Sequence, residues 1–101
     1  MGPFRLKAGN RVQIGNDVVL RVESIKPLRL SVLEGDAEIV MHTNRKRGIL
    51  RGTLKYGRYS ITLRIRIDGN LALISFLNIP QNVPIRTMPK EILRTRQPQS
   101  A

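Results

Sequence analysis

The chain has 101 residues, of which 41% are hydrophobic and none is Trp or Cys. This length suits one compact domain spanning residues 1–101 with an aliphatic β core, and the missing cysteines exclude disulfides and thiolate metal sites. No segment has the length of a signal peptide or a transmembrane helix, so we expect a cytoplasmic protein without a membrane partner.

The formal charge of +11 is unevenly distributed. Residues 1–44 carry six basic groups against five acids, whereas residues 45–101 carry twelve against two. Such asymmetry is typical of nucleic-acid binders, because cations gain from displacing the counterions condensed on phosphates. A solvated, solubilising surface is the simpler alternative. A membrane surface is disfavoured, because no basic amphipathic helix is visible.

The first half reads as short strands separated by turns. Alternating apolar residues predict Phe4 to Lys7, Arg11 to Ile14, Val18 to Val22, Leu28 to Leu33 and Ile39 to His42. Gly15-Asn16-Asp17 is a strong hairpin signal, since these residue types tolerate turn conformations. Thr43 to Gly48 is polar and basic and is interpreted as a connector.

The second half continues as strands and ends in the one predicted helix. Strands are expected at Ile49 to Leu54, Ser60 to Ile67, Leu71 to Leu77 and, at an edge because of Pro84, Val83 to Arg86. Arg64 and Arg66 share the outer face of the second of these. Leu71 to Leu77 is apolar on both faces, which indicates a central strand covered on both sides, with a short buried helix left open. Pro89 to Arg96 has the signals of a helix.

An internal repeat relates the two halves. Ile14-Gly15-Asn16-Asp17 followed by Leu20-Arg21-Val22 has a counterpart in Tyr56-Gly57-Arg58-Tyr59 followed by Leu63-Arg64-Ile65. Each is a hairpin leading into a strand. The pattern predicts one β-unit at residues 1–44 and a second, with a C-terminal helix and a short tail, at residues 45–101.

Four short motifs of the chain follow the pattern of one known family. They are the run from Gly9 to Val18, Ile39-Val40-Met41-His42, Asp68-Gly69-Asn70 and the segment from Pro80 to Ile85. In that order they resemble the G-E-x-L-x-I-G-D-x-V, V-x-V-H, K-G-N and A-P-x-x-V-P-V motifs of the carbon storage regulator (CsrA/RsmA) family of small RNA-binding translational regulators. The chain looks like a divergent tandem of two copies.

The resemblance implies an all-β fold of mainly antiparallel short strands, in interleaved sheets or a barrel, with one short C-terminal helix. Family members interleave as homodimers and bind GGA-containing single-stranded loops of messenger RNA, often over the ribosome-binding site. A tandem implies a single-chain pseudo-dimer, and a homodimer remains possible. The expected function is post-transcriptional regulation through RNA, without a cofactor.

The family forms each RNA site from the first strand of one protomer and the last strand of the other. The RNA-binding candidates are Arg5, Lys7, His42, Arg45, Lys46, Arg47, Arg51, Arg86 and Thr87. Arg45, Arg47 and Arg86 have no identical match in the family and are included as residues able to reach the phosphate or base that the family's arginine contacts. Thr43 stands where the family has an arginine after V-H, which departs from the pattern for GGA recognition. The resemblance also makes Ile49 to Arg51 the second copy's first strand and places Arg64 and Arg66 away from the RNA site.

No catalytic or metal-binding pattern is visible, so we expect no enzyme. His42 has no partner His or Cys and is interpreted as a partly buried structural histidine. Few aromatic residues are present, so recognition is expected to depend on arginine and strand edges rather than on a stacking platform. Two alternatives stay open: a double-stranded DNA binder presenting Thr62, Arg64 and Arg66 as a β-ribbon, and a protein-interaction module whose basic face docks an acidic partner.

Overall fold

A computed structural model describes residues 3–42 and 48–88, and this part of the chain is all-β. Its strands are β1 (Phe4–Leu6), β2 (Arg11–Ile14), β3 (Val18–Ile25), β4 (Leu28–Glu34), β5 (Ala37–Met41), β6 (Ile49–Tyr56), β7 (Tyr59–Asp68), β8 (Leu71–Leu77) and β9 (Ile85–Met88). The predicted helix Pro89 to Arg96 lies outside the described residues. Within them, no helix has the length and apolar character needed to cross a membrane.

Two equivalent hairpins confirm the turns predicted from the sequence. β2 and β3 are joined through Gly15, and β6 and β7 through Gly57, with φ angles of 64° and 61°. Both angles lie in the left-handed region, where glycine has no steric penalty. The five strands expected in the first half are also confirmed, since β1 to β5 occur where the alternation predicted them.

The strands form two antiparallel sheets, not one closed barrel. The first sheet has the order β1-β8-β7-β6-β5, and the second has the order β4-β3-β2-β9. Strands of the two halves are interleaved, because β1 and β5 flank the meander β6-β7-β8 while β9 lies beside β2. Each sheet therefore depends on both halves of the chain.

The hydrophobic core lies between the inner faces of the two sheets. Its largest fully buried side chains are Ile14, Val18, Leu54, Ile61, Leu63 and Ile65. The last three alternate along β7, which confirms the inward and outward faces predicted for that strand. Because Ile61, Leu63 and Ile65 point inward, Arg64 and Arg66 are exposed on the outer face.

Predictions for two segments need correction. Leu71 to Leu77 is a central strand, not a helix, but it is covered on one face only: Ala72 and Ile74 are buried, whereas Leu73 is half-buried on the outer face. The reason is that the second sheet packs against one side only. Likewise, Ile49–Tyr56 is one long strand paired with both β5 and β7, so it corresponds to a second strand and not to a first strand.

Candidate nucleic-acid interface

The outer face of the first sheet is built around β7, its middle strand. In an antiparallel pair, residues directly opposite each other point to the same face. Arg64 of β7 is opposite Arg51 of β6 and also opposite Ser75 of β8. Arg51 is therefore presented beside Arg64, and both side chains are exposed.

A second row of residues adds two further arginines. Arg66 is opposite Leu73 of β8, and Leu73 is in turn opposite Arg5 of β1. The rows of Arg64 and Arg66 are two residues apart, about 7 Å along the strand. We call the exposed surface of Arg5, Arg51, Arg64 and Arg66 the basic face.

A shallow depression of about 200 Å³ lies on the basic face. Arg64 and Arg66 border it, and Ile49, Leu73 and Ser75 complete much of its lining. The depression combines guanidinium groups with an apolar floor, the two features that hold a phosphate and the flat face of a base.

The arginines of the basic face have no acidic partner among the described residues. Within residues 3–42 and 48–88, the ion pair that the structure contains joins Arg21 to Glu23 at 3.7 Å, on the second sheet. Arg51 and Arg64 are moreover like charges directly across a strand pair, an arrangement that destabilises a sheet. An anion bound between them would relieve this repulsion.

His42 extends the row of Arg51 at the edge of the sheet. Its backbone N–H donates to the carbonyl oxygen of Arg51 at 2.9 Å, and its Nε2 lies 3.3 Å from Thr53 Oγ1. The side chain is exposed, so the interpretation of His42 as partly buried was wrong. The reason is that β5 is an edge strand that ends at Met41, leaving His42 beyond the core.

The remaining candidates do not join the basic face in one sheet. Lys7 follows β1, is exposed, and its N–H donates to Asn10 Oδ1 at 2.8 Å in the turn before β2. Arg86 and Thr87 are exposed on β9, whose predicted edge position in the second sheet is confirmed. Arg45, Lys46 and Arg47 lie outside the described residues.

The composition of the basic face differs from what the resemblance implied. Arg5, Arg51 and His42 do lie in one sheet. Arg64 and Arg66 were expected away from the RNA site, but Arg64 is directly opposite Arg51, and Arg66 is directly opposite Leu73. The hairpin at Gly57 carries the signal that could have found this, because its two-residue turn fixes Arg51 opposite Arg64.

Aromatic side chains are placed away from the basic face. Phe4 packs edge-on against Phe76, with ring centroids 5.6 Å apart, at the core. The Tyr56 hydroxyl donates to Asp17 Oδ1 at 2.9 Å, which links β6 to the β2–β3 turn. This bond to the carboxylate, together with partial burial, raises the pKa of Tyr56 above its usual value near 10.0.

Neither a metal site within the described residues nor a match to a known protein is found. The described residues contain no cluster of three or more His, Cys, Asp or Glu side chains that could hold a metal ion. No family model, no curated protein and no solved structure matches the chain. The geometry of the basic face and the sequence motifs are therefore the features of the chain that bear on its function.

Proposed function

We propose that the protein binds single-stranded RNA through the basic face and regulates translation by occupying loops in messenger RNA. The observation that carries the proposal is the set of four exposed arginines on one sheet face without an acidic partner among the described residues. Such a surface gains free energy when phosphates replace condensed counterions.

The dimensions of the sheet favour a single strand over a duplex groove. Neighbouring strands are about 4.8 Å apart, so five strands span about 19 Å, whereas the major groove of B-DNA is about 12 Å wide. β7 is the third of five strands and carries Arg64 and Arg66. A β-ribbon in a groove would need these residues on a two-stranded projection. A flexible single strand can instead follow the sheet surface.

The residue types suit recognition of a guanine-containing loop. Arginine forms bidentate hydrogen bonds to guanine O6 and N7 or to phosphate, and Arg64 and Arg66 border a depression with an apolar floor. The CsrA-like motifs make GGA the proposed sequence, and the interleaved strands support a single-chain pseudo-dimer of that kind. Action on messenger RNA would place the protein in the cytoplasm.

Fluorescence anisotropy with labelled hairpins tests the proposal. We expect sub-micromolar binding to a GGA-bearing loop and a log–log salt slope of about −0.7 for each phosphate contact. Arg51→Gln with Arg64→Gln should weaken binding at least tenfold. Arg21→Gln is the matched control for each single variant, Arg51→Gln or Arg64→Gln, because Arg21 carries the same charge on the second sheet and already contacts Glu23.

Three outcomes would contradict parts of the proposal. Equal affinity for a scrambled loop would remove the GGA specificity but leave RNA binding. Tighter binding to duplex DNA at matched salt would favour the DNA alternative. No binding to any nucleic acid would leave the basic face as a docking surface for an acidic protein.

A further inference from the structure

The two sheets are built to one plan, and the second sheet lacks one strand of it among the described residues. The meander β2-β3-β4 corresponds to β6-β7-β8, and β9 pairs with β2 as β5 pairs with β6. In the first sheet, β1 pairs with the outer edge of β8. Within residues 3–42 and 48–88, no strand pairs with the outer edge of the corresponding strand, β4.

Burial of side chains differs accordingly between the two strands. On β8, beside β1, the inward residues Ala72 and Ile74 are 0% and 3% exposed. On β4, the inward residues Leu30 and Val32 are only half-buried, and Leu33 is 41% exposed. β4 thus presents seven residues of backbone, with a β-bulge at Leu33, and several apolar side chains at an open edge, which is a template for adding a strand.

We propose that this edge pairs with β4 of a second copy of the chain, antiparallel and about a two-fold axis at Ser31. This register sets Leu30 opposite Val32 of the second copy, so the half-buried inner side chains cover one another. It also places Arg29, near one end of β4, opposite Leu33 of the second copy and next to Glu34, the following residue of that strand. Arg29 and Glu34 are exposed and belong to no ion pair within the described residues, so the edge is complementary to itself in charge as well as in shape.

The other sheet edges are poorer candidates for this pairing. β1 has three residues, β9 has four, and β5 has five, against seven for β4. β5 and β9 are the edge strands at equivalent ends of the two sheets, beside β6 and β2. The edge is therefore open at this end of both sheets, and neither strand lacks a neighbour that the other has. Among the four sheet edges in the described part of the chain, only β4 corresponds to a strand, β8, that is paired on its outer side in the other sheet.

The proposed pairing would also orient the basic faces. A two-fold axis that continues an antiparallel sheet is perpendicular to it, so both first sheets lie on the same side of the resulting eight-stranded sheet. The two basic faces then point in the same direction, and one RNA with two loops could engage both. Only this last consequence depends on the proposed RNA binding; the pairing itself does not.

Sedimentation equilibrium of the full chain without RNA tests the pairing. An interface of one strand pair is small, so we expect a monomer–dimer equilibrium with a dissociation constant on the order of 10 μM. Leu33→Lys should weaken the dimer at least tenfold. Val40→Lys, an equally exposed position on the β5 edge, is the matched control and should leave the dimer unchanged.

A charge exchange provides a second, independent test. Glu34→Arg should weaken the dimer by placing like charges together, and the double variant Arg29→Glu with Glu34→Arg should restore it.

A wild-type chain that stays monomeric at several hundred micromolar, or a Val40→Lys variant that loses the dimer as Leu33→Lys does, would overturn the proposal. Leu33→Lys should still bind a single hairpin, so loss of the dimer and loss of RNA binding are distinguished.

Discussion

Replacing Arg51 with Glu should stabilise the fold while weakening the proposed binding of RNA. Arg51 is directly opposite Arg64, so the wild-type sheet contains a like-charge pair that Glu would convert into an opposite-charge pair. Cross-strand pairs of this kind contribute about 0.2–1 kcal/mol, and exposure of both side chains keeps the effect in the lower part of that range. We expect a gain of about 0.5 kcal/mol in the free energy of unfolding, or a Tm rise of about 2–4 °C.

Thermal unfolding followed by circular dichroism measures this effect, at low salt and at about 1 M NaCl. The rise in Tm should largely vanish at the higher salt concentration, where the Debye screening length falls to about 3 Å. Arg51→Gln should give about half the gain, because it removes the repulsion without adding attraction. Both variants should lose affinity for RNA, and Arg51→Glu should lose more.

Two results would refute the reasoning about this pair. If Arg51→Glu lowers the Tm, the Arg51 side chain stabilises the sheet through contacts that outweigh its repulsion from Arg64. If the gain persists at high salt, its origin is not the interaction between the two charges. Either result would remove the argument that the basic face retains a strained charge pair for an anionic ligand.

Two further predictions concern the turns that hold the sheets together. Tyr56→Phe should lower the free energy of unfolding, measured by urea unfolding, by about 0.5–1 kcal/mol, because it removes the hydrogen bond to Asp17. That bond raises the pKa of Tyr56. The difference in stability from wild type should therefore be complete below about pH 10 and disappear as the pH rises through the pKa of Tyr56 in the folded state. Gly35→Ala should lower the free energy of unfolding by about 3 kcal/mol or more, because φ is 95° and the new Cβ would meet the backbone oxygen of Asp17 and the Cα of Val18. Gly57→Ala is the control in the same assay. It should lower the free energy of unfolding by only about 1 kcal/mol, because φ is 61° and the space around the new Cβ is open.

Most of the secondary structure could be predicted because each strand has its own local signal. β7 shows this best: Ile61, Leu63 and Ile65 alternate with polar residues, and all three are fully buried. For β8 the period was ambiguous, because Leu71 and Leu73 are apolar although they face outward. The packing of the second sheet decides which face of β8 is buried. A sequence that is apolar on both faces of the strand does not indicate which of them this is.

The candidate site was only partly predictable, for a related reason. Arg5 and Arg51 are candidates through a family resemblance, and their membership of one sheet follows from the pairing of β1 with β8, which are separated by residues 7–70. Arg64 was assigned to a solvent face, although the turn at Gly57 already fixes it opposite Arg51. Local register was available from the sequence, whereas long-range strand order was not.

The interleaving of strands explains how an uneven charge distribution along the chain becomes a one-sided surface. The meander β6-β7-β8 supplies Arg51, Arg64 and Arg66, and only two acids occur among the last 57 residues of the chain. Had the halves folded as separate sheets, Arg5 would have remained with the acids of the first half. Its strand instead pairs with β8, while Glu23 lies on the second sheet beside Arg21. The exchange of β1 thus adds a fourth arginine to the basic face, whereas β5 brings one acid of the first half, Glu38, to an exposed position of the same sheet opposite Lys55.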